Sequence, residues 1–349
     1  MPGNPESPFV ESLLAAPAGV ALLARLEVEQ RDDVAWFEAP RDSNHDAVRR
    51  AAASVSTMSF GSLLAMATFS AEHLAGPWSG QALASLPYLY ECAPQRRLIA
   101  EAVAEHFGAR LHDGAGLDAQ QWWRDGAAVG RHFEQPLFRD FSEVYGNGEF
   151  TRSGLWTVSD PPPEVNDDLF MAWDFAGFPV TRWHLPIHAV VRLWNIDGPS
   201  DWVRLVETYP RVATQPHHGW ELSGPNQYPS DTRMLRSIEN QHAVRVAVDR
   251  HVLPDWEVVA HDFDGVHLSW AGFLTAEGFV SDLSGGGVTM LRYWGSERTL
   301  WLHNVFGTPA PLTPPPFSNR FGMDHEIHES QVDDRRDDDR RGLKALLGR

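Results

Sequence analysis

The chain of 349 residues is 43% hydrophobic and 11% aromatic, enough apolar surface for one large core or two domains. Its formal net charge of −18 disfavours nucleic acid, whose phosphates need a basic surface, and disfavours anionic membranes as well. A single cysteine, Cys92, excludes an intrachain disulfide, and no stretch approaches 18 apolar residues, so no membrane span is expected.

Residues 1–8 are rich in Pro, Gly and Ser and read as loose. No basic residue precedes Arg25, and no compact apolar run sits beside one. A signal peptide is therefore not expected, and the cytoplasm is the default location. From Phe9 to Asp125 the pattern is helical. Val20, Leu23 and Leu26 share a face, and Ser43-Asn44-His45-Asp46 has the form of a capping box before a proline-free run to Gly76. Ile99, Val103 and Phe107 mark another amphipathic helix, with Gly108 as its stop. His73 and His106 read as ordinary helix residues, and Trp122-Trp123 as a packing anchor between two halves of the chain.

After Pro136 the periodicity changes, and ten of the fourteen Trp lie beyond residue 150. Buried Trp combines a large apolar area with an N–H that needs a partner, so shaped cavities are expected in this half. Ile187 to Ile196 reads as a buried strand, followed by a turn at Asp197-Gly198-Pro199 and a helix capped by Ser200. That helix places Trp202, Leu205, Val206 and Tyr209 on one face, and Pro254-Asp255-Trp256 opens a second helix in the same way. Val266, Leu268 and Trp270 alternate with His267 and Ser269, the pattern of a half-buried strand. Gly285-Gly286-Gly287 reads as a hairpin loop, and Val288–Trp294 and Thr299–Phe306 as antiparallel strands. The expected fold is α+β. It comprises a helical domain over 1–130, a Trp-rich domain with a mostly antiparallel split sheet over 131–316, and a disordered charged tail over 317–349.

Several polar groupings are weak as chemistry. His184 and His188 flank Pro186 and need not converge, and His217-His218 lies in a Pro/Gly-flanked loop without a carboxylate or Cys cluster, so no metal site is expected. His267-x-Ser269 recurs only as His328-Glu329-Ser330 in the tail, and no Gly-x-Ser-x-Gly nucleophile turn occurs.

One ordered set stands out. Arg139 is followed by Thr157 and Ser159 on the strand-like Leu155-Trp156-Thr157-Val158-Ser159, and then by Asp264 at the head of a later strand. This order resembles that of ADP-ribosyltransferase-like domains, and the stretch from Val190 to Pro210 looks like the strand–turn–helix of several bacterial domains of that kind. The resemblance covers residues 137–306 and implies an NAD-binding protein that transfers ADP-ribose to an unknown acceptor. Arg139 would contact the dinucleotide, Thr157 and Ser159 would place the nicotinamide ribose, Trp156 would line the cofactor cleft, and Asp264 would be the acidic catalytic residue. The chemistry suits these residue types. A carboxylate opposes the positive charge that grows on the sugar, and an indole face suits a pyridinium ring. The pattern departs from that family at two points: Thr157-Val158-Ser159 stands for Ser-Thr-Ser, and a lone Asp264 stands for a Glu-x-Glu or Gln-x-Glu pair. The alternative is a non-catalytic module with Trp-lined surfaces that bind another protein.

Overall fold

The computed structural model describes residues 7–34, 42–71, 88–125, 144–145, 150–151, 154–165, 180–188, 190–212, 250–291 and 294–313. Arg139, His73, His217-His218 and the tail over 317–349 lie outside the described residues.

The described elements up to residue 111 are helices. Pro8 opens α1 (Pro8–Ala15) and Pro17 opens α2 (Pro17–Val28), each at the first helical turn, where a missing N–H costs nothing. No single helix among the described residues is long and apolar enough to cross a membrane. α1 and α2 reach that length only as a pair bent by 86°. Every residue of α2 is buried, which is the environment a helix apolar on all sides requires. Asn44 caps α3 (His45–Val55) by accepting from the Asp46 and Ala47 N–H groups. The proline-free run then breaks, and Ser59 caps a separate helix, α4 (Phe60–Ser70). A 3-10 turn at Ala93–Arg96 leads into α5 (Arg97–Leu111), which buries Ile99, Val103 and Phe107. Gly108 lies inside α5 rather than at its stop.

The helical reading fails at 120–125. That stretch is β1 (Gln120–Asp125), an interior strand of the main sheet although it precedes the boundary expected at residue 130. After the short β2 (Val144–Tyr145) and β3 (Phe150–Thr151) come β4 (Leu155–Ser159), β5 (Val180–His184) and β6 (Leu193–Ile196). α6 (Pro199–Thr208) and β7 (Pro210–Val212) follow, and after the gap come β8 (Val252–Pro254) and α7 (Trp256–Asp262). The chain continues through β9 (Gly265–Leu268), α8 (Trp270–Ala276), β10 (Val280–Asp282), β11 (Val288–Met290), β12 (Arg298–Trp301) and β13 (Ala310–Leu312). Seven strands form one sheet in the order β13-β5-β1-β4-β12-β9-β6. Neighbours are antiparallel except β6 and β9, which run parallel. The fold is α+β with a mostly antiparallel sheet, as expected.

The two faces of the sheet differ. Trp123, Val158, Val266, Leu268, Ile196 and Leu300 look toward the helices and share one core with α1, α2, α4 and α5 as well as α6, α7 and α8. Trp122, Leu155, Leu185 and Trp301 form a smaller cluster on the other face. Trp122 and Trp123, adjacent on β1, therefore anchor opposite faces.

Ile187 to Ile196 is not one strand. Only β6 pairs along a ladder. Ile187 makes a lone bridge to Phe306, and Val190 is fully exposed. The reason is topological. β5 and β6 lie near opposite edges, so residues 185–192 must cross five strand spacings, about 24 Å, and run over the smaller apolar cluster instead. At α6 the cap is Gly198, which offers no side-chain bond, while the Asp201 carboxylate accepts the Asp197 N–H. β9 is buried on both faces, not half-buried: Val266 and Leu268 enter the core shared with the helices, and His267 on the other face is buried as well. Trp270 does not extend that strand. It begins α8, with Ser269 as cap. α8 approaches β6 so closely at Gly272 that a Cβ there would meet the Ile196 carbonyl oxygen at 2.1 Å. Gly285–Gly287 closes the β10–β11 hairpin, with positive φ at Gly286 and Gly287.

Trp202 and Trp256, the first buried residues of α6 and α7, are both within the core, with ring centroids 6.5 Å apart, and Trp202 Nε1 donates to Thr289 Oγ1 at 3.0 Å. Trp202→Ala or Trp256→Ala is expected to cost about 3–5 kcal/mol, read as a lower midpoint in thermal or denaturant unfolding. Midpoints equal to the parent would contradict this burial.

Candidate functional site

A connected group of polar side chains lies on the face of the sheet away from the described helices. Strand register sets them there: Thr299 lies opposite both Thr157 and His267, His267 lies opposite Asn195, and Ser159 lies opposite Gln120. Since side chains alternate across a strand, Thr157 and Ser159 share this face, and Trp156 points to the other. There Trp156 packs edge-on against Trp294, centroids 4.8 Å apart.

These groups form a chain of bonds whose direction is fixed at its start. The Trp301 indole can only donate, and it gives its N–H to Thr157 Oγ1 at 2.7 Å. The Thr157 hydroxyl in turn donates to Gln120 Oε1. Gln120 Nε2 donates to Ser159 Oγ at 3.3 Å and to the Gly116 carbonyl at 3.1 Å. Ser159 Oγ also accepts the Gly116 N–H at 3.0 Å and passes its own proton bond to Glu297 Oε1 at 2.8 Å. The Ser159 N–H reaches the same carboxyl at 3.2 Å. Ser159 thereby uses its one donor and both acceptor sites.

Glu297 stands beside His267, with Oε1 3.6 Å from Nδ1, and the same nitrogen is 3.0 Å from Thr299 Oγ1. Both ionisable groups are nearly inaccessible, Glu297 being 3% exposed. Burial pushes the Glu297 carboxyl up to about 8, against the bonds from Ser159 and the charge of Arg298, which lower it. Burial also pulls His267 down to about 4, against the charge of Asp197 and the backbone groups of Asp113 and Arg298. Arg298, buried next to Glu297, is drawn down to about 9 by desolvation, against the charges of Glu277 and Glu297. At neutral pH the carboxyl and the imidazole are both uncharged, the state a dry site favours. The Asp113 backbone lies close to the His267 ring, and among the described residues Nε2 has no hydrogen-bond partner.

The residues singled out by sequence are dispersed. Thr157 and Ser159 belong to this network, Thr157 with no exposed surface at all. Asp264 sits at the other end of the strands. It precedes Gly265, whose partner Trp301 pairs with Leu155, whereas Ser159 closes β4 at the far end. At 3.3 Å per residue the two are separated by roughly 15 Å along the strands. The Asp264 carboxylate accepts the Arg192 N–H at 2.8 Å and lies 3.3 Å from His303 Nδ1, while its backbone bonds Arg192, Leu302 and His303. It ties three segments together. Of the histidine pair, His184 lies on β5 and His188 is exposed beyond it. Among the described residues, no group of three or more His, Cys, Asp or Glu could hold a metal ion.

Glu297 and Gln120 were missed by sequence reasoning. Glu297 follows Gly295-Ser296 and reads as a turn residue. The one available signal is Thr299, a polar residue at the inward position of a strand whose next inward neighbour is Trp301. Comparison with protein-family models, with curated proteins and with solved structures finds no match to this chain.

Two outcomes test the network. Thr157→Val keeps the shape but strips the partner from the Trp301 N–H and from Gln120 Oε1, and is expected to cost about 1–3 kcal/mol in denaturant unfolding. A cost near zero would show that these bonds are dispensable.

The pH dependence has a definite sign. Glu297, raised from 4.5 to about 8, contributes stability that is full below 4.5 and lost as pH rises through 8. His267, lowered from 6.5 to about 4, contributes stability that is full above 6.5 and lost as pH falls toward 4. Between 4.5 and 6.5 the two slopes oppose each other, so the net contribution of the pair falls mainly from pH 6.5 to 8. Glu297→Gln should remove that fall, measured as the unfolding midpoint across this range. An unchanged pH profile in the variant would contradict the assignment.

Proposed function

We propose that this chain works by binding another protein and does not transfer ADP-ribose. The observation that carries this reading is the use made of Asp264. Its carboxylate and backbone hold residues 192, 302 and 303 in place, roughly 15 Å along the strands from Ser159. Thr157 is likewise consumed by the bond between Trp301 and Gln120, and its complete burial leaves nothing to offer a ribose. The net charge of −18 favours a partner with a basic surface. Apolar contact area is present outside the core at Val190, Val212 and Val258.

NAD binding with transferase activity is the second reading, and one observation favours it: a protonatable carboxyl, Glu297, receives the Ser159 hydroxyl. Calorimetry with NAD, paired with an assay for released nicotinamide, separates the two. The binding-protein reading expects no heat at millimolar NAD and no nicotinamide. Nicotinamide release would overturn it. Asp264→Asn and Glu297→Gln would then identify the acid, since losing a carboxylate charge (Asp264) or a proton-donating carboxyl (Glu297) that acts in the transition state lowers turnover more than NAD affinity.

A further inference from the structure

The short stretch between α5 and β1 meets the Ser159–Glu297–His267 cluster at Ser159 and at His267. Its attachment there is narrow. Gly116 gives its N–H to Ser159 Oγ at 3.0 Å and takes a bond from Gln120 Nε2 at 3.1 Å, and the Asp113 backbone faces the His267 ring. Asp113 and Gly114 are exposed, and a Cβ added at Gly114 would meet nothing within 4 Å. The stretch is thus bonded to the sheet at Gln120 and at Ser159, whose hydroxyl in turn donates to Glu297. Ser159 can accept from Gly116 in its present orientation only while its own proton points at Glu297.

We propose that the segment from Asp113 to Gly116 is a latch over the Ser159–Glu297–His267 cluster, and that it opens when Glu297 gives up its proton. A carboxylate sealed under this segment has a few bonds from Ser159 and the charge of Arg298 in place of water. Lifting the segment hydrates the charge, so ionisation and opening favour each other. The charged and titratable groups around the pair are few. Arg298 follows Glu297 on β12 and is itself in the field of Glu277, Asp197 acts on His267 from the turn before α6, and Asp113 belongs to the latch. Asp160, beyond the end of β4, is held by Gln121 on the other face. Arg298 is the only cation among these groups, and its opposing effect is smaller than that of burial. The raised Glu297 and lowered His267 give the direction. Opening at 112–119 increases as pH climbs from 6.5 to 8 and levels off above that.

Hydrogen exchange on the full chain, corrected for the intrinsic pH dependence of amide exchange, reads this directly. In a peptide covering 112–119, the open fraction should rise about tenfold between pH 6.5 and 7.5 and flatten by pH 9. A peptide covering 265–268 should stay protected throughout. Glu297→Gln should hold the 112–119 segment closed at every pH. Ser159→Ala, which removes the Gly116 acceptor, should open it even at pH 6.5 and abolish the slope. The proposal is overturned if the parent shows no slope, if either variant keeps it, or if 265–268 opens in parallel.

Discussion

The fold depends on burying the carboxylate of Glu27. α2 is enclosed on all sides by α1, α3, α4 and α8, and its last turn carries this acid with no exposed surface. An unpaired charge there would be very costly, so neighbouring segments converge on it. Arg96, itself fully buried, donates from Nε to Oε2 at 2.7 Å. The Asn44 N–H reaches Oε1 at 2.6 Å and the Ser43 hydroxyl reaches Oε2 at 3.3 Å. One side chain thus fixes where α3 begins and where the turn before α5 must pass. Apolar packing alone would leave those helices free to slide along α2. The carboxylate supplies the register.

The sheet solves a related problem differently. Glu297 is buried almost as deeply as Glu27, and among the described residues it accepts from the Ser159 hydroxyl and N–H and stands beside a neutral imidazole. The amino-terminal acid is answered by charge and the sheet acid by protonation. The sheet site lies on the face opposite the one that packs against the described helices.

Much of the architecture was legible because it is written in local patterns. The Asn44 cap, the amphipathic α5, the two Asp-Trp helices and the glycine hairpin all follow from neighbours within a few residues. What failed was what depends on distant pairing. Gln120-Gln121-Trp122-Trp123 carries no strand alternation, because its two Trp serve opposite faces and its Gln side chains join polar networks. The crossing at 185–192 is as apolar as a strand because it covers an apolar cluster, not because it enters a ladder. The candidate site was half visible. Thr157 and Ser159 belong to the buried network, but their partners arise from registers with 297–301 that no local pattern encodes. The acid chosen from sequence, Asp264, proved to be a fastening point for three segments.

The strand order also governs how the chain comes into being. β4 lies between β1 and β12, and its Thr157 meets Trp301 across 144 residues of sequence. At synthesis rates of roughly 5–20 residues per second, β4 waits roughly 7–30 s for that neighbour to be made. During that interval Trp156 and Val158 lack β12 beside them. The nascent chain thus passes through a stage with an open apolar strand edge, and its yield in a cell should depend on whatever shields that edge until the last strands emerge.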